Sequence, residues 1–351
     1  MAKILYGLCT VGMGHAVRGR FILEHLAEKN DILIATSGKS YEYLEKFFPG
    51  KLVDIEGFEL AFENNAIVNF KTLKLNFHKF SFRNISKFKN WNKTIDEFKP
   101  EIVVSDWEPF SSIYAKSRKL PLISIDNQHY IIFGDYKFPK KYWMDYAKAR
   151  AILQALMRKS DYYLITLFPG NKLRKIKNKF GVNPIVRPEV MSLKPKKGDY
   201  VLVYQSTKSY EKLVDILKTV KQKFVVYGYD KQGTESNLTF KKFSSGDSFT
   251  RDLAGCKAVI ANGGFTLISE ALYLGKPLLV VPIKKHFEQI LNAIYIGEHK
   301  YGEFYEELDK NSLVNFLMNL NKYKVPKFEI DSNKKLLGLM DEIIEKETRR
   351  K

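Results

Sequence analysis

Residues 258–293 read AVIANGGFTLISEALYLGKPLLVVPIKKHFEQILNA, and this stretch decides the fold. An apolar β-rich run (Ala258 to Ala261) meets a double glycine, Gly263 and Gly264. A helical pattern follows, with Leu267, Ile268, Ala271 and Leu272 on one side. Strand, tight turn and helix in that order bring backbone close to a ligand, and unpaired N–H groups at the helix start favour an anion, most often a phosphate. Glu270 falls about two turns into the helix, within reach of a ribose hydroxyl pair. Beyond the next strand (Pro277 to Ile283) a second helix start carries His286, Glu288, Gln289 and Asn292. Open α/β sheets bind ligands at that edge, so the residues point to a phosphate with sugar-like hydroxyls attached.

The same unit recurs on both sides. Downstream of Asp199 the segments Tyr200 to Gln205, Lys223 to Tyr229, Leu238 to Phe243, Lys257 to Ala261 and Pro277 to Ile283 read as strands separated by helices. Upstream, Lys3 to Val11 is a strand, followed by Gly12, Gly14 and His15 and a helix bearing Phe21, Ile22 and Leu26. Strands at Lys51 to Ile55, Glu101 to Ser105, Pro121 to Asp126 and Asp161 to Leu167 complete a first parallel series. The first glycine loop fits neither a dinucleotide fingerprint, since Val17 stands where glycine is needed, nor a P-loop, since Met13 follows Gly12. His15 at the helix start faces the ligand edge, where a histidine either acts as general base or contacts a phosphate. Asp106 ends one strand and is the rival base; Asp126 and His129 end the next. Asp106-Trp107-Glu108 lacks the second aspartate of a metal-binding D-x-D, so no metal is expected.

The pattern GGxTxxSEAxxxGxPxxxxPxxxxxEQxxNA over residues 263–293 resembles the donor-site signature of GT-B nucleotide-sugar glycosyltransferases. The likeness is to family 28 and the UDP-glucuronosyltransferase group, within an archaeal-type branch. It implies two Rossmann-like doubly wound α/β domains facing across a cleft. Residues 1–187 would form an acceptor-binding domain, 188–199 a linker and 200–330 a nucleotide-sugar-binding domain. Residues 331–351 would form a helix crossing back to the first domain. The resemblance also implies roles for individual residues. Gly263, Gly264 and Thr266 hold the donor diphosphate, Glu270 the ribose, and Glu288 and Gln289 the transferred sugar. Arg187, in Asn183-Pro184-Ile185-Val186-Arg187, sits near the pyrophosphate; Phe243 marks the base site. Ser206 belongs to a loop that departs from the family's glycine-rich form, and Asn262 stands where the glucuronosyltransferase group has a pyrophosphate-binding histidine. Gly12 and Gly14 face the acceptor, with Asp126 and His129 as further acceptor contacts. The expected reaction is inverting sugar transfer from a nucleotide donor, UDP foremost, to a hydroxyl, without other cofactor. A UDP-N-acetylglucosamine epimerase on the same fold, or a non-enzymatic nucleic-acid or membrane binder, are the alternatives.

The composition bounds the partners. A chain of 351 residues is long enough for two domains, and 45% apolar content is ordinary for a globular protein. The formal charge of +19 comes mostly from lysine, whereas arginine is the better reader of phosphate and base edges, so nucleic acid is disfavoured. Residues 64–95 lack acids between Asn64 and Ile95. They interleave Lys71, Lys74, Lys79, Arg83, Lys87, Lys89 and Lys93 with Phe70, Phe77, Phe80, Phe82, Phe88 and Trp91. Such a stretch suits an anionic headgroup boundary; it also suits single-stranded nucleic acid or a helix whose aromatics enter a core. Lys137 to Arg150 repeats the flavour. The expected setting is cytoplasmic, at the inner membrane face, with a lipid-linked or envelope acceptor. Cys9 and Cys256 are expected as buried reduced thiols.

Overall fold

The β-branched and leucine-rich runs assemble into two parallel sheets in the computed structural model, which describes residues 1–10, 13–55, 57, 61–68, 71–72, 74, 85–157, 159–206, 210–243, 248–326 and 332–349. In chain order the first half contains β1 (Lys3–Leu8), α1 (Met13–Ala27), β2 (Asp31–Thr36), α2 (Gly38–Leu44), β3 (Leu52–Asp54), β4 (Phe62–Glu63) and β5 (Ala66–Ile67). It continues with α3 (Ile85–Phe98), β6 (Ile102–Asp106), α4 (Pro109–Ser117), β7 (Leu122–Asp126), α5 (Tyr130–Phe133), β8 (Gly134–Asp135), α6 (Trp143–Leu156), β9 (Tyr162–Thr166), β10 (Lys172–Leu173) and β11 (Lys179–Val182). The seven-stranded sheet runs β11-β9-β7-β6-β1-β2-β3. Helices cover both faces, which is why its strands are near-continuous apolar runs, not alternating ones. Strand order reverses between β1 and β6, where Leu8 lies opposite Asp106. At such a switch point the loops after the two strands diverge and leave a crevice.

A short helix, α7 (Pro188–Met191), leads into the second half. There β12 (Tyr200–Tyr204), α8 (Glu211–Lys218), β13 (Lys223–Tyr227), β14 (Gly233–Glu235), β15 (Leu238–Phe240), α9 (Ser248–Gly255), β16 (Ala258–Ala261), α10 (Phe265–Tyr273), β17 (Leu278–Val280), α11 (Phe287–Glu298), β18 (Gly302–Phe304) and α12 (Lys310–Met318) follow. Their sheet runs β14-β15-β13-β12-β16-β17-β18, with β14 antiparallel at one edge. Here the reversal falls between β12 and β16, so the Gln205-Ser206 loop and the Asn262-Gly263-Gly264 turn are neighbours. The final helix, α13 (Ser332–Thr348), returns to the first half and buries Leu336, Leu337, Met340, Ile343 and Ile344 in its core. Five such side chains contribute on the order of 10 kcal/mol of apolar transfer as an upper figure.

The two ends of the basic-aromatic stretch are placed here. Residues 62–67 form a β-hairpin turned by Asn64 and Asn65, both at positive φ (46° and 54°). Asparagine tolerates that left-handed pair, which two-residue hairpin turns demand. The hairpin docks on the opposite domain: Lys284 N–H donates to Asn65 O (2.7 Å), Ile67 N–H to Lys284 O (3.2 Å) and Asn65 Nδ2 to Pro282 O (3.2 Å). The start of the basic-aromatic stretch is thus an interdomain tie. At its far end half-buried Trp91 packs edge-on against Phe110 (5.5 Å between ring centroids) at the first-domain core, as the reading of aromatics entering a core expects. Phe70, Phe77, Phe80, Phe82 and the side chain of Phe88, with Lys79, Arg83 and the side chains of Lys87 and Lys89, lie outside the described residues. Both cysteines are buried thiols that form no disulfide with each other. Among the described residues no helix is long and apolar enough to cross a membrane.

Candidate active site

The carboxyl ends of the two sheets face each other across a cleft of about 1040 Å³. From the first domain His15, Arg18, Trp107, Asn127 and Gln128 line it. Gly264, Thr266, Glu270, Glu288 and Gln289 line it from the second, with Arg187 at the junction. Gly12 lies outside the described residues.

His15 and Asp106 do not compete for one role. Pairing of β1 with β6 brings them together, and His15 Nδ1 lies 2.7 Å from Asp106 Oδ1. A carboxylate only accepts, so at 2.7 Å it selects the Nδ1–H tautomer over the opposing Arg18 Nη2, a donor 3.0 Å from Nδ1 that itself bonds Asp106 more closely. Nε2 is left as the acceptor on the cleft side. Arg18, one helical turn beyond His15, donates Nη2–H to the same Oδ1 at 2.5 Å and Nε–H to Oδ2 at 3.3 Å. Asp106 is fully buried, and burial alone would raise its carboxyl. The Arg18 charge and then His15 outweigh burial and hold it below the usual carboxylate range. Trp107 adopts φ 49°, a left-handed geometry rare for a bulky residue, as the chain leaves β6. Glu108 next caps α4, accepting from Phe110 N and Ser111 N at 2.8 and 2.5 Å. Neither acid of the Asp-Trp-Glu triplet is therefore presented as a metal ligand.

Asp126 and His129 depart from expectation. They are 1% and 4% exposed and do not line the cleft. Asp126 accepts from His129 Nδ1–H and backbone N–H, each at 2.7 Å, and from Ser124 Oγ–H at 2.8 Å; they form a buried turn lock, not an acceptor contact. The cleft-facing residues of that turn are Asn127 and Gln128. Asn127 Nδ2 and Gln128 Nε2 reach across the domains to Glu288 Oε1 (2.9 Å) and Oε2 (3.1 Å).

On the donor side, α10 begins at Phe265 without a side-chain cap, leaving its first N–H groups facing the cleft, where the helix dipole favours an anion. Gly263 holds φ 106°, and a Cβ there would sit 3.0 Å from Gln289 O, so the turn requires glycine. Asn292 Nδ2 donates to Gly263 O at 2.9 Å, and Gln289 Oε1 accepts from Ile283 N at 2.9 Å; both amides hold loops in place. Thr266 Oγ1 is 3.0 Å from where a Cβ on Gly14 would be, so the starts of α1 and α10 converge from opposite domains.

Two other residues are committed differently than expected. Glu270, 1% exposed, accepts from Arg187 Nε and Nη2 at 2.6 and 2.7 Å, so Arg187 is bonded to the carboxylate expected to hold ribose and not poised over a diphosphate. Each carboxylate oxygen has two lone pairs, so Glu270 retains acceptor capacity beside that bidentate pair. Asn262 is buried; its Oδ1 accepts from Ser206 N (2.9 Å) and its Nδ2 donates to Gln205 Oε1 (2.8 Å) and Asn65 Oδ1 (3.2 Å). It ties the Ser206 loop to the hairpin instead of meeting phosphate. Ser206 and the 55% exposed Phe243 line the cleft. Arg18, Asn127 and Gln128 are contributors that sequence reasoning missed. The i, i+3 spacing of Arg18 from His15 was the available signal for Arg18.

The profile described as Glycosyl transferase family 1 matches residues 2–321. An uncharacterised glycosyltransferase of Methanosarcina acetivorans is 24% identical over 336 residues, covering 86% of this chain and 83% of that protein. A UDP-N-acetylglucosamine–N-acetylmuramyl-(pentapeptide) pyrophosphoryl-undecaprenol N-acetylglucosamine transferase of Bacillus cereus is 25% identical over 128 residues, covering 32% of this chain and 35% of that relative. Among solved structures, the kitacinnamycin glycosyltransferase superposes with a TM-score of 0.61 at 14% identity, covering 99% of this chain and 95% of that one. Its likeness is one of fold: two facing parallel-sheet domains of the GT-B kind.

Proposed function

Since the chain belongs to glycosyl transferase family 1, we propose that this glycosyltransferase moves a sugar from a nucleoside-diphosphate donor, UDP foremost, to a hydroxyl of a lipid-linked or envelope acceptor, with inversion. The observation that carries the reading is the His15–Asp106 pair across the cleft from the uncapped start of α10. His15 Nε2 takes the proton of the acceptor hydroxyl. Its oxygen bonds to the anomeric carbon as the bond to the diphosphate breaks, and the electron pair leaves on the diphosphate oxygen. Asp106 positions the imidazole and stabilises the imidazolium. The N–H groups at Gly264 to Thr266, aided by the converging start of α1, receive the diphosphate, so the scheme calls on no metal or further cofactor.

For the acceptor, support comes from the first-domain half of the cleft, where Phe47, Phe62 and Ile152 mix with Lys39, Lys46 and Lys148. Apolar surface beside cations suits an amphipathic, anionic molecule, and the pyrophosphoryl-undecaprenol in the name of the Bacillus relative is of that kind. Such an acceptor would place the enzyme at the inner face of the membrane. Trp143 and Met144, 58% and 62% exposed at the start of α6 beside Lys140 and Lys141, supply an apolar and cationic surface for it.

The test is a thermal-shift panel of nucleoside diphosphates. A ligand at one hundred times its Kd adds about 2.7 kcal/mol to stability. Stabilisation by UDP above ADP and GDP, lost in Glu270→Gln, supports the donor site; indifference to every nucleotide overturns it.

A further inference from the structure

Gln128 stands at the point where the two halves of the reaction meet. It lines the cleft yet is only 7% exposed. Its Nε2 lies 3.1 Å from Glu288 Oε2 and 3.5 Å from His15 Nε2. Both neighbours are acceptors: a carboxylate oxygen, and the imidazole nitrogen whose partner Nδ1–H is directed at Asp106. The carboxamide is therefore oriented, with NH2 towards them and Oε1 away. That Oε1 is buried and, among the described residues, has no hydrogen-bond partner. A buried acceptor left unsatisfied is costly, and native proteins keep few of them. The group that satisfies this one must be a donor, and it must reach a residue wedged between the base and Glu288.

We infer that Gln128 is a positioning residue for the transferred sugar: its Nε2 holds Glu288 in place while its Oε1 receives a sugar hydroxyl. The inference rests on the donor reading above. It adds a sugar-recognising group from the acceptor domain to a donor site otherwise built by the second domain. Donor sugar is then gripped fully only when the domains face each other as they do here, with His15 already beside it. Asn127 supports the arrangement, since its Nδ2 holds the other oxygen of Glu288 and its Oδ1 accepts from Arg18 Nη1 at 3.3 Å.

The test compares wild type, Gln128→Met and Gln128→Glu by isothermal titration against UDP, GDP and the glucose and N-acetylglucosamine conjugates of each. The readout is the affinity gained when the sugar is attached to the nucleotide that binds. Methionine keeps the volume and removes both polar ends, so nucleotide affinity stays within about two-fold and the sugar increment falls about ten-fold, the worth of one good hydrogen bond. Glutamate keeps an acceptor oxygen but sets a second carboxylate beside Glu288, and loses at least as much. A merely structural residue would move nucleotide and sugar-nucleotide binding together. A Met variant that keeps the sugar increment overturns the inference alone, as does a wild type for which neither sugar adds affinity. A wild type that binds no nucleotide overturns the donor reading and this inference with it.

Discussion

Replacing Asp106 with asparagine removes the charge beneath His15 and leaves the volume unchanged. In wild type the carboxylate lies 2.7 Å from Nδ1 and is fully buried, so the imidazolium formed as the acceptor loses its proton has a close counterion. With charge centres ~4 Å apart and an effective dielectric of ~20, that attraction is about 4 kcal/mol. Proton transfer is partial at the transition state, which brings the loss to ~2–4 kcal/mol, or roughly 30- to 1000-fold in turnover. Arg18 is present in both proteins, but in the variant its buried charge loses its bonded carboxylate and keeps only the more distant Asp126, at a stability cost of up to ~3–5 kcal/mol. The double variant Arg18→Met/Asp106→Asn relieves that cost, and should be the more stable of the two while remaining as inactive. The assay is release of nucleoside diphosphate from a sugar nucleotide over a panel of hydroxyl acceptors, with water as the default acceptor. Nitrogen-15 NMR of His15 reads the tautomer independently of any substrate. A folded Asp106→Asn protein within three-fold of the wild-type rate, or an Nε2–H tautomer in wild type, would refute the reasoning.

Burial raises the Glu108 carboxyl from 4.5 to about 7 against the opposing pull of the Ser111 and Phe110 N–H groups. Because the folded value is the higher one, its contribution is complete below about 4.5 and is lost as pH rises through about 7, a difference of ~3 kcal/mol. Urea unfolding at pH 4.5 and pH 8 should show wild type losing that much more than Glu108→Gln. Asp106 and Asp126, both held below the usual range, titrate beneath this window, so equal losses in the two proteins count against the assignment. Asn65→Gly keeps the positive φ of the hairpin turn but strips the bonds to Pro282 O and Asn262, at ~1–3 kcal/mol. Hydrogen exchange at the Lys284 and Ile67 amides should quicken while the amides of β1 stay protected; unchanged exchange at Lys284 would show that the hairpin does not tie the domains.

The charge of the chain acquires a place only in three dimensions. Trp91 and the hairpin, inside the basic-aromatic stretch of residues 64–95, are committed to the first-domain core and to the opposite domain. Among the described residues, Trp143 and Met144 are exposed beside Lys140 and Lys141, outside that stretch. Composition does not distinguish an aromatic that packs inward from one that faces out, because both kinds follow a similar spacing along a helix.

Local pattern alone established the two series of strands and helices, the glycine-opened start of α10, and the acids and amides clustered after β17. Each of those is written within a few residues, where apolar periodicity and glycine's access to positive φ leave little choice. What the tertiary structure decided was which groups act together. His15 and Asp106 are 91 residues apart, Arg187 and Glu270 are 83 apart, and Gln128 and Glu288 are 160 apart. These pairs meet at a strand switch point, at the domain junction and across the cleft, respectively. Strand order and domain docking follow from burying whole sheets and helices together, and no short window of residues encodes that choice.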